Sequence, residues 1–595
     1  MSLLGCVMAV QAAAQTAPAP IAPLPSKHQV AWQQMETYAF IHFGPNTFGN
    51  REWGYGDAPL ESFNPTRLDC EQWAKTLHDA GMKGIIITAK HHDGFCLWPT
   101  KYTDYSVRNT PYKNGKGDIV GELSAACKKY GLKFGVYLSP WDRHQAFYGT
   151  PLYVEYFYAQ LEELLTQYGD IFEIWFANGG DGYYGGAREE RTIDRRTYYN
   201  FPRAWKMVER LQPQAIIFSD GGPGCRWVGN EKGYAHATNW SFLRGNEVYP
   251  GYSRYWELQQ GHADGDTWTP AECDVSIRPG WFYHESEDSK VKTVDYLTDL
   301  YYRSVGHNAT FLLNMPVDKE GRIHPIDSAR VVDFHKRICA EFKTDLLAKA
   351  KIKASNVRGK QWDTTNLTDG NYETYWSISD GTDKAQLTIT LPRNTRLNRL
   401  MLQEYIPLGQ RVQRFSVYYL KGKEWAPLSV GEETTTVGYK RLLRFATIET
   451  RQIRISFDAM RGPICLSTVA AYLAPETKGA EEKKEEVKGV DFTATAEGDN
   501  VVTFDLGGEQ EIGSLRYLPQ QGDDRKGLVA NYEIYAGMEK DAMQRVAEGE
   551  FSNIRNNPVM QEIFFTPTHC RYVQLRATRM VNAGEKIAYQ QVIIR

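Results

Sequence analysis

The chain is 595 residues long, 42% hydrophobic and 24% charged, with a formal net charge of -3. That length exceeds one compact core and predicts three domains at roughly 100–200 residues each. The scattered Lys and Arg exclude the basic face that nucleic-acid binding needs, which leaves a neutral or weakly charged substrate as the expectation.

The opening run LLGCVMAVQAAAQ is short, apolar and ends in small residues, and the Pro-rich APAPIAPLP follows it. Residues 1–26 read as the remnant of a secretory signal plus leader, although the first basic residue is Lys27, so the usual basic start is missing. An exported protein, periplasmic or secreted, is expected; LLGC around Cys6 also resembles a lipid-attachment box, a less favoured reading. No other apolar run approaches the ~20 residues of a membrane span. The nine Cys form no C-x-x-C pair and read as buried free thiols.

From 27 to 345, strand-length apolar runs alternate with amphipathic helical stretches. The strand candidates are TYAFIHFG (37–44), GIIITAK (84–90), KFGVYLS (133–139), IFEIWF (171–176), QAIIFSD (214–220), PGWFYH (279–284) and ATFLLNM (309–315). Helical stretches include CEQWAKTLHDAG, ELSAACKKYG, VEYFYAQLEELLTQYG and RRTYYNFPRAWKMVERLQ, most closing near Gly as a helix C-terminus should. With an irregular eighth strand added, the pattern is that of an α/β protein whose first domain is a (β/α)8, TIM-like barrel. A doubly wound sheet is the alternative.

Beyond 345 the helical pattern stops. The runs AQLTITL, RLMLQEY, RFSVYYL and QIRISF alternate as strands do, and 346–475 reads as an all-β sandwich. A charged bridge at 476–489 leads to 490–595, where VVTFDL, IGSLRYL, NYEIYAG and RYVQLRAT repeat the same order of events. Two copies of one discoidin-like sandwich are expected. The Asp369-Gly370 turn and Trp376 fit that pattern, with a scaffold role favoured over sugar or calcium binding.

In a barrel, chemistry sits at the C-terminal ends of strands. Those ends carry His42, then NTFGNREWGYG with Glu52 and Trp53, then His91, His92 and Asp93. Strand alternation forbids adjacent His91 and His92 from facing the same way. H-H-D offers no zinc-ligand spacing and no Cys pair assists, so neither a metal nor another cofactor is expected; neutral hydrogen-bonding groups for sugar hydroxyls fit better. The 15 Trp and 36 Tyr point the same way, since aromatic faces stack on the apolar side of sugar rings, though core residues of a sheet-rich protein would also account for them.

Seven motifs in order, FIHFG with NTF and EWG, AKHHDGF, GVYLSPWD, FEIWF, GNEKGYA, DVSIRPGWFYH and ATFLLNMPV, resemble the α-L-fucosidase family of retaining glycoside hydrolases. The resemblance is to the branch selective for α-1,3/1,4-linked fucose and covers the whole first domain. It implies a fucosylated oligosaccharide or glycan as partner, with His42, His91, His92, Tyr137 and Trp175 lining a fucose pocket. Retaining hydrolysis needs a nucleophilic carboxylate and an acid/base carboxyl about 5–5.5 Å apart. Glu231, in the GNEKG loop after the fifth strand, matches the acid/base position, and Glu272 in PAECDVS is the runner-up. The family's fourth strand ends Trp-x-Asp-Gly, with Asp as nucleophile; here Trp175-Phe176 runs directly into Ala177-Asn178-Gly179. Asp181 is the carboxylate that stands in for it if the Gly179-Gly180 loop folds back. The rival reading is a catalytically impaired fucose-binding protein. The oligomeric state is not encoded in any recognisable pattern.

Overall fold

The structure, a computed structural model, describes residues 16–176, 184–185, 189–475, 488–522 and 525–595. Ala177 and Asp181, most of the charged bridge and the opening apolar run therefore lie outside the described residues.

Eight parallel strands close into a barrel in sequence order: β1 (Thr37–Ile41), β2 (Gly84–Lys90), β3 (Lys133–Leu138), β4 (Ile171–Trp175), β5 (Ile216–Ser219), β6 (Cys225–Trp227), β7 (Ala271–Ser276) and β8 (Ala309–Asn314). The expected barrel is present and the doubly wound sheet is not. The first predicted helix, Cys70–Asp79, starts because the Asp69 side chain accepts from the Gln72 N–H at 2.9 Å. The second, Ile119–Tyr130, stops at Gly131, whose φ of 68° suits glycine. The fourth predicted helix begins only at Phe201, because Asn200 is left-handed and Pro202 opens the first turn.

Two strand expectations are corrected. PGWFYH is not a strand: Pro279 and Gly280 break the chain after β7, and 279–284 crosses the barrel mouth as a loop. The missing strands are β6 and β7. β6 has three residues and follows β5 after only residues 220–224, without a helix; the bare Gly224 allows it, since a Cβ there would lie 2.4 Å from the Ile217 nitrogen. β7 carries Glu272 and Asp274 inside the barrel, so it lacks an apolar signature.

Aromatic side chains fill the barrel interior: Tyr38 meets Phe172 edge-on at 5.5 Å, and Phe40 meets Trp175 at 5.1 Å. Ala39 and Ile41, the alternate residues of β1, join the separate core beneath the surrounding helices.

The two C-terminal sheets share one strand order. In the first, Cys465–Tyr472, Ala385–Glu404, Arg441–Met460, Val412–Lys421 and Glu424–Pro427 lie side by side; in the second, Tyr589–Ile594, Val501–Pro519, Gln561–Met580, Val529–Gly537 and Gln544–Glu550 do. Lys351–Ala354 and Thr493–Ala496 occupy matching places against the long strand of each. AQLTITL and RLMLQEY are not two strands but one, bent by a register shift between Thr390 and Thr395. Trp376 is fully buried, with its indole donating to the Asn356 carbonyl, and both Asp369 oxygens are engaged by Asn371 N–H and the Thr374 hydroxyl. Both are scaffold.

The first sandwich joins the barrel through buried polar pairs, including Gln410 to the Asn239 carbonyl at 3.0 Å and Tyr439 N–H to Asn308 Oδ1 at 2.7 Å. Residues of the Pro-rich leader lie against it: Arg411 donates to the Ala19 carbonyl and Arg461 to that of Ala22. Of the eight described Cys, all free, seven are buried and Cys339 is exposed. Among the described residues no helix is long and apolar enough to cross a membrane.

Candidate active site

A pocket at the C-terminal mouth of the barrel is lined by His42, Trp53, His91, His92, Tyr137, Trp175 and Glu231, together with Phe40, Phe218, Asp220, Trp227, Asp274 and Trp281. Of the predicted site residues described, Glu52 and the runner-up Glu272 lie outside it; Glu52 is the nearer to its rim loop. Its carboxylate accepts from the Trp281 and Phe282 N–H groups and lies 2.7 Å from His284 Nε2, so it braces the loop that carries Trp281.

His91 and His92 both line the pocket, contrary to the alternation argument, because β2 ends at Lys90 and the two histidines sit in the following turn. Their rings are 4.3 Å apart, and His42 is 5.4 Å from His91. Hydrogen bonding fixes two tautomers. The Asn314 amide nitrogen donates to the Trp281 carbonyl, so Asn314 Oδ1 must accept the proton of His42 Nδ1, 2.8 Å away. The Ser139 hydroxyl donates to the Trp141 carbonyl and so accepts from His92 Nδ1 at 2.8 Å. In both rings Nε2 is left as an acceptor for a hydroxyl. His91 Nδ1 has no partner among the described residues. Burial holds all three rings neutral, pushing His42 down to about 4 and His91 and His92 below their usual range.

Opposite the histidines stands an aromatic wall. Trp175 stacks on Phe218 with centroids 3.9 Å apart and meets Tyr137 edge-on at 5.1 Å. The Trp175 indole donates to Glu272 Oε1 at 2.7 Å, and Tyr38 donates to the other oxygen. Glu272 therefore lies beneath the pocket and props its wall, which removes the runner-up for acid/base. Sequence reasoning missed Asp274, two residues further along the same face of β7; it lines the pocket and accepts from the Trp227 indole at 2.9 Å. Strand period alone would have found it.

Glu231 follows the sixth strand, not the fifth. Gly229 shapes its loop: φ is +84°, and a Cβ would sit 2.1 Å from the Tyr255 carbonyl oxygen. Glu231 Oε2 accepts from the Trp281 indole at 2.6 Å and from Asn553 Nδ2 at 2.7 Å. Burial raises its carboxyl to about 7, the two hydrogen bonds opposing the rise. Such a carboxyl is protonated for a useful fraction of the time near neutrality.

Among the described residues, the one cluster whose ligating atoms lie close enough to hold a metal is Glu173, Cys225 and Glu272, within 4.8 Å of one another. It is buried in the barrel floor, and three of its four carboxylate oxygens accept from Trp32, Tyr38 or Trp175.

A parallel barrel with a neutral, histidine- and tryptophan-lined mouth and a raised carboxyl defines a glycoside-hydrolase type of site. The Alpha-L-fucosidase family profile matches residues 14–336, and the F5/8 type C domain profile matches 351–468. Alpha-L-fucosidase 1 of Arabidopsis thaliana is 41% identical over 469 residues, 77% of this chain and 88% of that protein. A glycoside hydrolase 29 family member from an unknown rumen bacterium superposes with a TM-score of 0.70 at 42% identity, covering 97% of this chain and 100% of that one. A Ruminococcus gnavus glycoside hydrolase 29 fucosidase, an aspartate-to-alanine mutant crystallised with fucose, gives a TM-score of 0.70 at 36% identity over 78% of this chain and 97% of that one. The chain belongs to the α-L-fucosidase family of glycoside hydrolases.

Proposed function

We propose that the pocket takes terminal α-1,3/1,4-linked L-fucose on glycans and that the chain hydrolyses it with retention, Glu231 serving as acid/base. The observation that carries this is Glu231 itself, a half-buried residue whose carboxyl is raised to about 7 at the rim of a pocket whose histidines offer Nε2 acceptors. Sugar hydroxyls donate to those nitrogens, and the Trp175 and Phe218 faces pack against the sugar's apolar side. A carboxylate attacks the anomeric carbon while Glu231 gives its proton to the departing oxygen. A glycosyl ester and a free alcohol result; Glu231 then takes a proton from the water that cleaves the ester. The linkage preference rests on the resemblance of the seven barrel motifs to one branch of the family, and export on the apolar run that precedes the prolines.

The attacking carboxylate is the open element. Ala177 cannot form an ester; Asp181 is the substitute carboxylate that the same loop supplies, and turnover through it is slow. A second reading, fucose binding with impaired turnover, is favoured by the order Trp175-Phe176-Ala177. Glu231→Gln tests the assignment: it is expected to cut fucose release from poor leaving groups far more than from activated aryl fucosides, which need no proton. Equal losses on both would move the acid role elsewhere.

A further inference from the structure

The pocket has a wall that the barrel does not make. Phe551, Asn553, Ile554, Arg555 and Asn556, from the loop after strand Gln544–Glu550 of the second sandwich, line it together with Val581. That loop is clamped to the barrel. Arg143 and Glu550 form a two-pronged ion pair at 3.1 and 3.0 Å with both side chains almost fully buried, and the Arg143 backbone N–H donates to the His92 carbonyl. Asn557 donates to the Pro279 carbonyl at 2.9 Å, beside the loop that carries Trp281. A bidentate, desolvated Arg–carboxylate pair fixes orientation as well as position. Phe551 is stacked on Tyr532 at 4.3 Å and on Tyr517 at 5.0 Å, so the wall is rigid from behind.

We infer that the second sandwich is part of the substrate site and forms the subsite for the leaving-group sugar. This rests on the proposed acid role of Glu231. The oxygen that receives a proton from Glu231 belongs to the leaving group, and Asn553 touches the same carboxyl at 2.7 Å, so the sugar carrying that oxygen lies against the 551–556 loop. Its lining suits a neutral pyranose. Phe551, Ile554 and Val581 offer apolar surface to a ring face, and Asn556 and Arg555 bring an amide and a guanidinium to ring hydroxyls or an acetamido group. Asn553 is a positioning residue: it holds the Glu231 carboxyl in one orientation jointly with Trp281.

The test is calorimetric and does not depend on turnover. The full chain and its Asn556→Ala and Arg555→Ala variants are titrated with free L-fucose and with a sulfur-linked, hydrolysis-resistant disaccharide of fucose α-1,4-linked to N-acetylglucosamine, thermal melting confirming that each variant folds. The native chain is expected to bind the disaccharide more tightly than fucose. Each variant should lose roughly fivefold of that gain, about one hydrogen bond, with fucose affinity unchanged. Fucose binding with disaccharide affinity unchanged in both variants, or a native chain that binds the two ligands equally, overturns the inference while leaving the fucose pocket standing. Failure of the native chain to bind fucose overturns the functional reading and this one with it.

Discussion

Asn553 and Trp281, from different domains, donate to the same oxygen of Glu231, at 2.7 and 2.6 Å. Two donors on one carboxylate oxygen favour the ionised form, while burial favours the neutral one, and burial wins by enough to leave the carboxyl near 7.

The first expectation concerns pH. A general acid must carry its proton, so kcat/KM on natural glycosides should fall as pH rises through about 7. Asn553→Ala removes a bond that stabilises the carboxylate and should shift that limb to higher pH. An initial-rate pH series on both proteins measures it; an unmoved limb would detach the titration from Glu231.

A second expectation concerns acid stability. His42 is held down to about 4 in the folded chain against about 6.5 when unfolded, so the unfolded state takes up the proton first as pH falls. Its neutral burial is tolerated fully above about 6.5, and on the order of 3 kcal/mol is lost between there and about 4. His42→Gln should flatten that part of the profile in denaturant melts across the window.

Glu272 gives a third. Glu272→Ala strands the Trp175 indole inside the barrel, while the Tyr38 hydroxyl keeps the Thr310 hydroxyl at 3.0 Å, at a cost of about 2 kcal/mol in unfolding free energy. Fucose affinity should weaken as well, since Trp175 loses its prop. Intact fucose affinity in a folded Glu272→Ala chain would show that the Trp175 wall does not depend on it.

How much of this was readable in the sequence follows from physics that differs by residue. β2, Gly84–Lys90, announced itself because GIIITAK is buried on both faces and apolar. β7 did not, because Glu272 and Asp274 occupy its inward positions and look like loop chemistry. β6 is too short to show a period. Glu231 was readable through its flanking glycines, one of which the packing against Tyr255 demands. Asn553 was not: its contact with Glu231 spans 322 residues and depends on how a sandwich docks, which no local pattern encodes.

The end of β4 decides the account. Asp-Gly inserted between Phe176 and Ala177 places a carboxylate at the family's position, and the decisive measurement is the rate of fucose release from an α-1,3/1,4-fucosylated oligosaccharide by the native and inserted chains. The account predicts a rise of ~10³–10⁴-fold on insertion, with the anomeric configuration retained and fucose affinity unchanged. A native chain already at the inserted chain's rate, with Asp181→Asn abolishing turnover, would contradict it and make Asp181 the full nucleophile.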